Sequence, residues 1–263
     1  MLAWLIRFEA FPEYFTHSLD GYRGLLSRDI LIMDSWMKIM SRGVPVGYTH
    51  TSMDTTESSP REHCKIDNRT DLKVKFMGQQ RIATLTASFT LDVNYNLQKF
   101  SCTLLLGADS YEIAGERTVG KVFKVSTNIS GMPPTLAVEL PDDVVLFSPM
   151  SAVAMKRMRV GQEIKLHTLD PFTMKKTDIV VKALRKERLT ISGKQCDTIV
   201  LGSQYRGSSM LTWMDSAGNV VRQDTPLGWT LEKCTSEEAF DAFKNSEGGD
   251  DMFASVAGLL MRW

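Results

Sequence analysis

No run of eighteen apolar residues occurs in this 263-residue chain, so no segment has the length and apolarity of a complete membrane-crossing helix. Cysteine is scarce: four in the whole sequence, too few for a disulfide scaffold. A surplus of either charge is missing as well. The 31 Lys and Arg balance 31 Asp and Glu, and without a basic excess nucleic acid is excluded as the main partner, because phosphate binding is held by cations. Gly-x-Ser-x-Gly, Cys-x-x-Cys and His-Glu-x-x-His are all absent, and no Gly-rich loop opens a helix to cradle phosphate. What is present is an apolar fraction of 43% in a chain long enough to bury a core, as one large β domain or two smaller ones.

The dominant period from Asp34 onward is two, the mark of a half-buried strand. Leu72, Val74 and Phe76 alternate with Lys73 and Lys75; Leu85 to Val93 and Phe100 to Leu106 form longer alternating sets, with a turn at Asn94 to Asn96. Gly107-Ala108-Asp109 predicts a hairpin tip, and Val122–Ile129 a further strand. Strands are predicted again over 163–169, 178–184, 195–201, 209–214, 219–223 and 229–233. Ser148-Pro149 predicts a short helix over 148–158, with Ser as N-cap and Pro at the first helical position. Thr235 followed by Glu238 is a capping box, predicting a helix over 235–244. The sequence therefore predicts a mainly β, α+β fold: curved antiparallel sheets or an incomplete barrel, in two similar halves. Part of that symmetry is a local echo. Ser88–Asp92 followed by Asn96 resembles Leu211–Asp215 followed by Asn219, each an Asp-initiated turn between strands.

Four regions follow: an N-terminal segment 1–30, a first β-rich half 31–147, a second 148–245, and a flexible acidic linker with an apolar tail over 246–263. Met1–Phe8 is too short for a signal peptide's apolar core and cleavage site, and Arg7 interrupts it. Two interpretations stay open for it: an amphipathic segment whose Leu2, Trp4, Leu5 and Phe8 cover the body, or the end of a membrane segment that begins upstream.

Few residues suggest chemistry. A catalytic thiol would have to pair Cys64, Cys102, Cys196 or Cys234 with His17, His50, His63 or His167, and alternating β patterns around Cys102 and Cys196 favour buried small side chains instead. His50, His63 and Cys64 lack a fourth partner for structural zinc, so no metal is expected, nor any other cofactor. Disulfides Cys64–Cys102 and Cys196–Cys234 would each cross-link one half; free thiols fit equally well. The aromatic residues Trp36, Tyr48, Trp213 and Trp229 fall in or beside strands, where they either fill the core or, with 15 methionines, line a concavity for an apolar ligand.

Two stretches carry a resemblance. Asp34-Ser35-Trp36-Met37-Lys38-Ile39 with Gly43 to Thr51, a Gly-Tyr-x-His strand, resembles the opening of β-rich extracytoplasmic domains of bacterial envelope proteins. Some of those domains are fused to, or encoded beside, transglutaminase-like proteins. Leu211–Asp215, Gly218–Arg222, Thr225–Trp229 and Thr235–Ala239 are similar to the ending of periplasmic domains with a curved, lipoprotein-carrier-like sheet. The resemblance implies an envelope-facing, mostly non-catalytic β domain and hands over no catalytic residue. The function expected from the whole sequence is a non-enzymatic binding or scaffolding protein of the cell envelope, tethered at its N-terminus. The aromatic residues set the expected binding surface, concave or at its rim: Trp36, Tyr48, His50, Trp213 and Trp229, for an envelope protein partner or an apolar ligand. A carrier of lipid in the concavity is the alternative, and a hydrolase with an unrecognised site a more distant one.

Overall fold

In a computed structural model of the chain, the described residues are 16–26, 32–55, 61–76, 79–146, 158–170, 175–205, 208–225 and 228–246. The predicted helix over 148–158 and the terminal segments 1–15 and 247–263 lie almost wholly outside them. Period-two patterning yields strands throughout. In chain order these are β1 (Thr16–Ser18), β2 (Ile32–Ser41), β3 (Val44–Thr55), β4 (Cys64–Phe76), β5 (Gln79–Leu91), β6 (Leu97–Leu106), β7 (Asp109–Arg117) and β8 (Val122–Thr127). After them come β9 (Thr135–Glu139), β10 (Val144–Leu146), β11 (Glu163–Asp170), β12 (Lys175–Ile191), β13 (Lys194–Tyr205), β14 (Ser208–Asp215), β15 (Val220–Asp224) and β16 (Trp229–Cys234). The helices are α1 (Gly21–Leu25) and α2 (Ser236–Lys244).

All the strands belong to one curved 16-stranded sheet that does not close on itself, mainly antiparallel, as the sequence predicts. One arm runs from β2 to β9 and the other from β11 to β16, and they join where β16 pairs with β2, Leu231 opposite Ile39. β1 and β10 both pair in parallel with β11, at its two ends. The end of the first predicted half, before 148, contributes the short strands β9 and β10, and β12 extends well beyond the predicted 178–184.

Turn chemistry fixes the register. Arg42-Gly43 and Ser192-Gly193 join β2 to β3 and β12 to β13 with positive φ at both central residues (50° and 82°; 46° and 76°). Two-residue loops of that conformation match the twist of the paired strands. The sequence echo is real at atomic level. Asp92 Oδ1 accepts from the amides of Asn94 and Asn96 at 2.8 and 2.9 Å. Asp215 Oδ1 accepts from those of Ala217 and Asn219, both at 2.9 Å. A register shift lies just before each Asp, at Thr90/Leu91 and at Trp213/Met214.

The concave face is packed. Met53, Ile66, Phe89, Phe100, Ile113 and Phe123 from one arm share a single buried cluster with Ile164, Leu166, Ile179, Val181, Leu201 and Met214 from the other. A second cluster, with Met37, Ile39, Leu72, Val74, Trp229 and Leu231, fills the interior further along the strands. Between the two on β3 and β4 lies a buried polar layer. Asn68 Nδ2 donates to Thr49 Oγ1 and Thr51 Oγ1 at 3.0 and 2.8 Å, and Thr70 Oγ1 donates to Thr49 Oγ1 at 2.8 Å. Buried hydroxyls and amides are tolerated because they satisfy one another.

The suggested disulfides are not made: all four cysteines carry thiols. Cys64 lies opposite Leu91 of β5 and Cys102 opposite Ala87, so a whole strand and four residues of rise separate them, beyond the reach of an S–S bond. Burial pushes the Cys64 and Cys234 thiols up to about 11, so both are protonated and inert at neutral pH.

Candidate functional site

Three of the five residues expected on a concave or rim surface come together instead on the outer face of β2 to β5, because they alternate with the inward Met37, Thr49 and Thr51. Trp36 lies opposite His50, Lys38 opposite Tyr48, and β4 sets Arg69 beside His50 and Asp71 beside Tyr48. The Trp36 and His50 rings stack at 4.0 Å between centroids, 15° from parallel. The His50 Nε2 is hydrogen-bonded to the Asp34 carboxylate. Gly47 of the Gly-Tyr-x-His stretch is required by close strand approach: a Cβ there would lie 2.2 Å from the Asp71 carbonyl oxygen.

Asp71 organises the polar half of this patch. Its side chain, 5% exposed, accepts from Tyr48 Oη at 2.6 Å, Thr84 Oγ1 at 2.6 Å and Arg69 Nε at 2.8 Å. Burial raises the Asp71 carboxyl, but the bonds from Arg69, Thr84 and Tyr48 outweigh it and hold it below the usual carboxylate range. Tyr48 is pushed up to about 12, first by burial and then by the Asp71 carboxylate, so it stays a hydrogen donor.

Helix α2 covers the aromatic half. Phe240 meets Trp36 and Tyr48 edge-on at 5.1 and 5.2 Å, and Phe243 meets Tyr48 at 5.4 Å. The predicted capping box is present, with Glu238 N donating to Thr235 Oγ1 at 3.1 Å and Thr235 N to Glu238 Oε2 at 2.9 Å. At the other end Lys73 Nζ donates to the carbonyls of Lys244 and Ser246, at 3.1 and 2.8 Å, and lies over the Phe243 ring. Thr235→Ala should cost about 1 kcal/mol. The loss is readable as a lower denaturant midpoint, with Trp36 more accessible to a fluorescence quencher.

Beyond His50 the outer surface becomes a groove. A depression of about 190 Å³ is lined by His50, Asp67, Arg69, Thr86, Ser88 and Ser101. It continues into one of about 520 Å³ that shares Ser88 and Ser101 and adds Thr90, Ala114, Lys124 and Ser126. Outward positions of β5 are thus Thr84, Thr86, Ser88 and Thr90, a hydroxyl at every second residue, facing Thr103 and Ser101 of β6. Lys99 closes one side, ion-paired to Glu62 and Glu116 at 2.9 and 3.4 Å.

Trp213 and Trp229 stand elsewhere. Trp213 packs with Val200 and Val221 on the other arm, under the Arg222 guanidinium 5.0 Å from its ring, and Trp229 belongs to the interior. His63 meets Tyr95 edge-on at 6.2 Å. Among the described residues, no group of three or more His, Cys, Asp or Glu side chains is placed to hold a metal. The sequence reading missed Arg69, Asp71, Phe240, Phe243 and the groove hydroxyls. The hydroxyl alternation along β5 and the three-residue spacing of Phe240 and Phe243 were the signals available.

No protein-family model matches the chain, and no curated protein does. Among solved structures it is similar to a β-barrel-like protein of a domain of unknown function, DUF1849, from Brucella abortus. That match has a TM-score of 0.49 and 8% identity, covering 78% of this chain and 96% of that one. It is also similar to a DUF1089 family protein from Pseudomonas aeruginosa, with a TM-score of 0.38 and 10% identity over 67% of this chain and 88% of that one.

Proposed function

We propose that the chain is a binding or scaffolding protein of the bacterial cell envelope that works through the outer surface of its curved sheet. The observation that carries this is the groove running from His50 to Ser126, floored by serine and threonine hydroxyls and edged by Asp67, Arg69, Lys99 and Glu116. Small hydroxyls flanked by charges of both signs offer donors and acceptors at close spacing, beside apolar surface from Ala87, Phe100 and Ala114. That chemistry suits a ligand rich in hydroxyl and amide groups, such as an envelope glycan. Extracytoplasmic placement and a transglutaminase-like or other envelope partner rest on the resemblance of the Asp34–Thr51 and Leu211–Ala239 stretches, and an N-terminal tether on the apolar run Met1–Phe8. The groove is assigned binding and no bond-making. The carrier alternative is less favoured, because large side chains such as Phe123, Met53 and Ile179 fill the concavity.

The test is titration of the isotopically labelled protein with soluble peptidoglycan glycan fragments, followed by amide NMR shifts. Shifts confined to Thr86, Ser88, Ser101 and Ala114, abolished by Ser101→Trp, are the expected result. An unmoved groove at saturating glycan removes the proposal. Shifts at Phe123, Val125 and Ile179 on adding a lysophospholipid would install the lipid carrier in its place.

A further inference from the structure

The arm of the sheet away from the groove carries a second constellation. β1 ends and β10 begins along the same edge of β11, and His167 of β11 lies at that junction, opposite Val144 of β10 and Asp178 of β12. His167 points outward, since its neighbours Leu166 and Thr168 are buried while its own side chain is 29% exposed. Its Nε2 is 2.8 Å from Ser18 Oγ and its Nδ1 is 2.7 Å from Asp178 Oδ1. The other Asp178 oxygen binds Lys165 Nζ at 2.6 Å, and Asp143 Oδ2 stands 4.0 Å from Nε2.

The tautomer follows from this chain of contacts. Asp178 is held ionised by Lys165 and His167, so it can only accept. Nδ1 therefore carries the ring proton, and in the neutral imidazole Nε2 is left with its lone pair toward the Ser18 hydroxyl. That is the order of donor and acceptor in which a serine nucleophile is activated: hydroxyl to Nε2, Nδ1 to carboxylate.

We infer that Ser18, His167 and Asp178 form an acyl-transfer site for unhindered carboxylic esters, with Ser18 as nucleophile, His167 as general base and acid, and Asp178 as the positioning residue. Ser18 Oγ bonds to the ester carbonyl carbon as its proton passes to His167 Nε2. The tetrahedral adduct collapses, the carbon–alkoxy bond breaks, and the Nε2 proton leaves with the alcohol. Water then adds to the acyl-serine, giving one proton to Nε2, and the Ser18–acyl bond breaks as that proton returns to Oγ, releasing the acid. The site is exposed and no oxyanion donor is identified among the described residues, so turnover is slow and rests on base catalysis, which supplies about 10²–10⁴-fold. This inference stands apart from the groove: neither needs the other.

The experiment is labelling of the whole chain with a fluorophosphonate probe, read by intact mass and peptide mapping, alongside hydrolysis of p-nitrophenyl acetate. One adduct at Ser18 is expected, lost in Ser18→Ala. His167→Gln should slow labelling about a hundredfold with an unchanged circular dichroism spectrum. Asp178→Asn, which would offer Nδ1 a donor and impose the wrong tautomer, should slow it comparably, with partial rescue by Asp178→Glu. Adducts at other serines, no adduct, or equal labelling in His167→Gln would each overturn the assignment. Because the unmodified protein is labelled first, the presence or absence of the Ser18 adduct decides the matter even where a variant fails to fold.

Discussion

Asp71→Ala should destabilise the fold by about 3 kcal/mol, because it removes a buried carboxylate and leaves the buried hydroxyls that donate to it unpaired. The shortened side chain leaves the Tyr48 hydroxyl, the Thr84 hydroxyl and the Arg69 guanidinium without the oxygens that receive them at 2.6, 2.6 and 2.8 Å. Tyr48 is itself the floor on which Phe240 and Phe243 rest, so the damage should spread to α2. Chemical denaturation should show a lowered midpoint, and hydrogen exchange should show faster opening of α2 than of β12 and β13. A pH series separates the charge from the shape. The Asp71 carboxyl is held below its ordinary value in the folded chain, so it binds its proton more readily when unfolded. Its stabilising contribution is complete above the unfolded value of about 3.9 and is lost as pH falls through the lower folded value. The wild type should therefore lose more stability than Asp71→Ala between about pH 4 and pH 2. Equal acid limbs in the two proteins would show that Asp71 is not the titrating support of this patch.

Much of the architecture was legible because the physics that sets it is local. Alternation picks out a face, Arg42-Gly43 and Ser192-Gly193 set hairpins, and Thr235 with Glu238 starts a helix, each within a few residues. The adjacency of Trp36, Tyr48 and His50 is local for the same reason, since a single hairpin brings them together. Asp71 was not, because Lys73 and Asp71 share a strand face with Leu72 between them and nothing in the sequence says which outward charge will be covered. That is decided by α2, more than 160 residues downstream. The Ser18–His167–Asp178 chain is illegible for a stronger version of this reason. Ser18 and His167 are 149 residues apart and meet through a parallel pairing at a sheet edge, which no short-range pattern encodes. Trp213 and Trp229 show the reverse failure. Aromatic residues in strands are visible in the sequence, but the cluster each ring joins is set by distant strands: Trp213 packs with Val200 of β13, and Trp229 joins Met37 and Ile39 of β2.

The Asp turns carry the second large effect. Asp92→Ala should cost about 2–3 kcal/mol, in the range expected when bonds to a charged acceptor are lost. Four donors converge on this carboxylate: the amides of Asn94 and Asn96, Asn96 Nδ2 at 3.2 Å and Gln98 Nε2 at 2.9 Å. The turn also positions the Asn94 carbonyl that receives Arg23 Nε at 3.0 Å, so α1 should loosen with it. Asp215 binds the amides of Ala217 and Asn219 and the Asn219 side chain, but Val221 stands where the other turn has Gln98. Asp215→Ala should therefore be the milder of the two by about one hydrogen bond, near 1 kcal/mol. The third residue after each Asp takes a left-handed backbone, Tyr95 at φ 60° and Gly218 at φ 95°. In Tyr95→Gly the relief of that conformation, about 1–2 kcal/mol, opposes the loss of the ring's packing on the interior cluster. Its net change should stay within about 1 kcal/mol. Denaturation of the three variants orders them as Asp92→Ala, Asp215→Ala, Tyr95→Gly from most to least destabilised. If Tyr95→Gly fell below Asp92→Ala, the turn would be held by aromatic packing and not by its carboxylate.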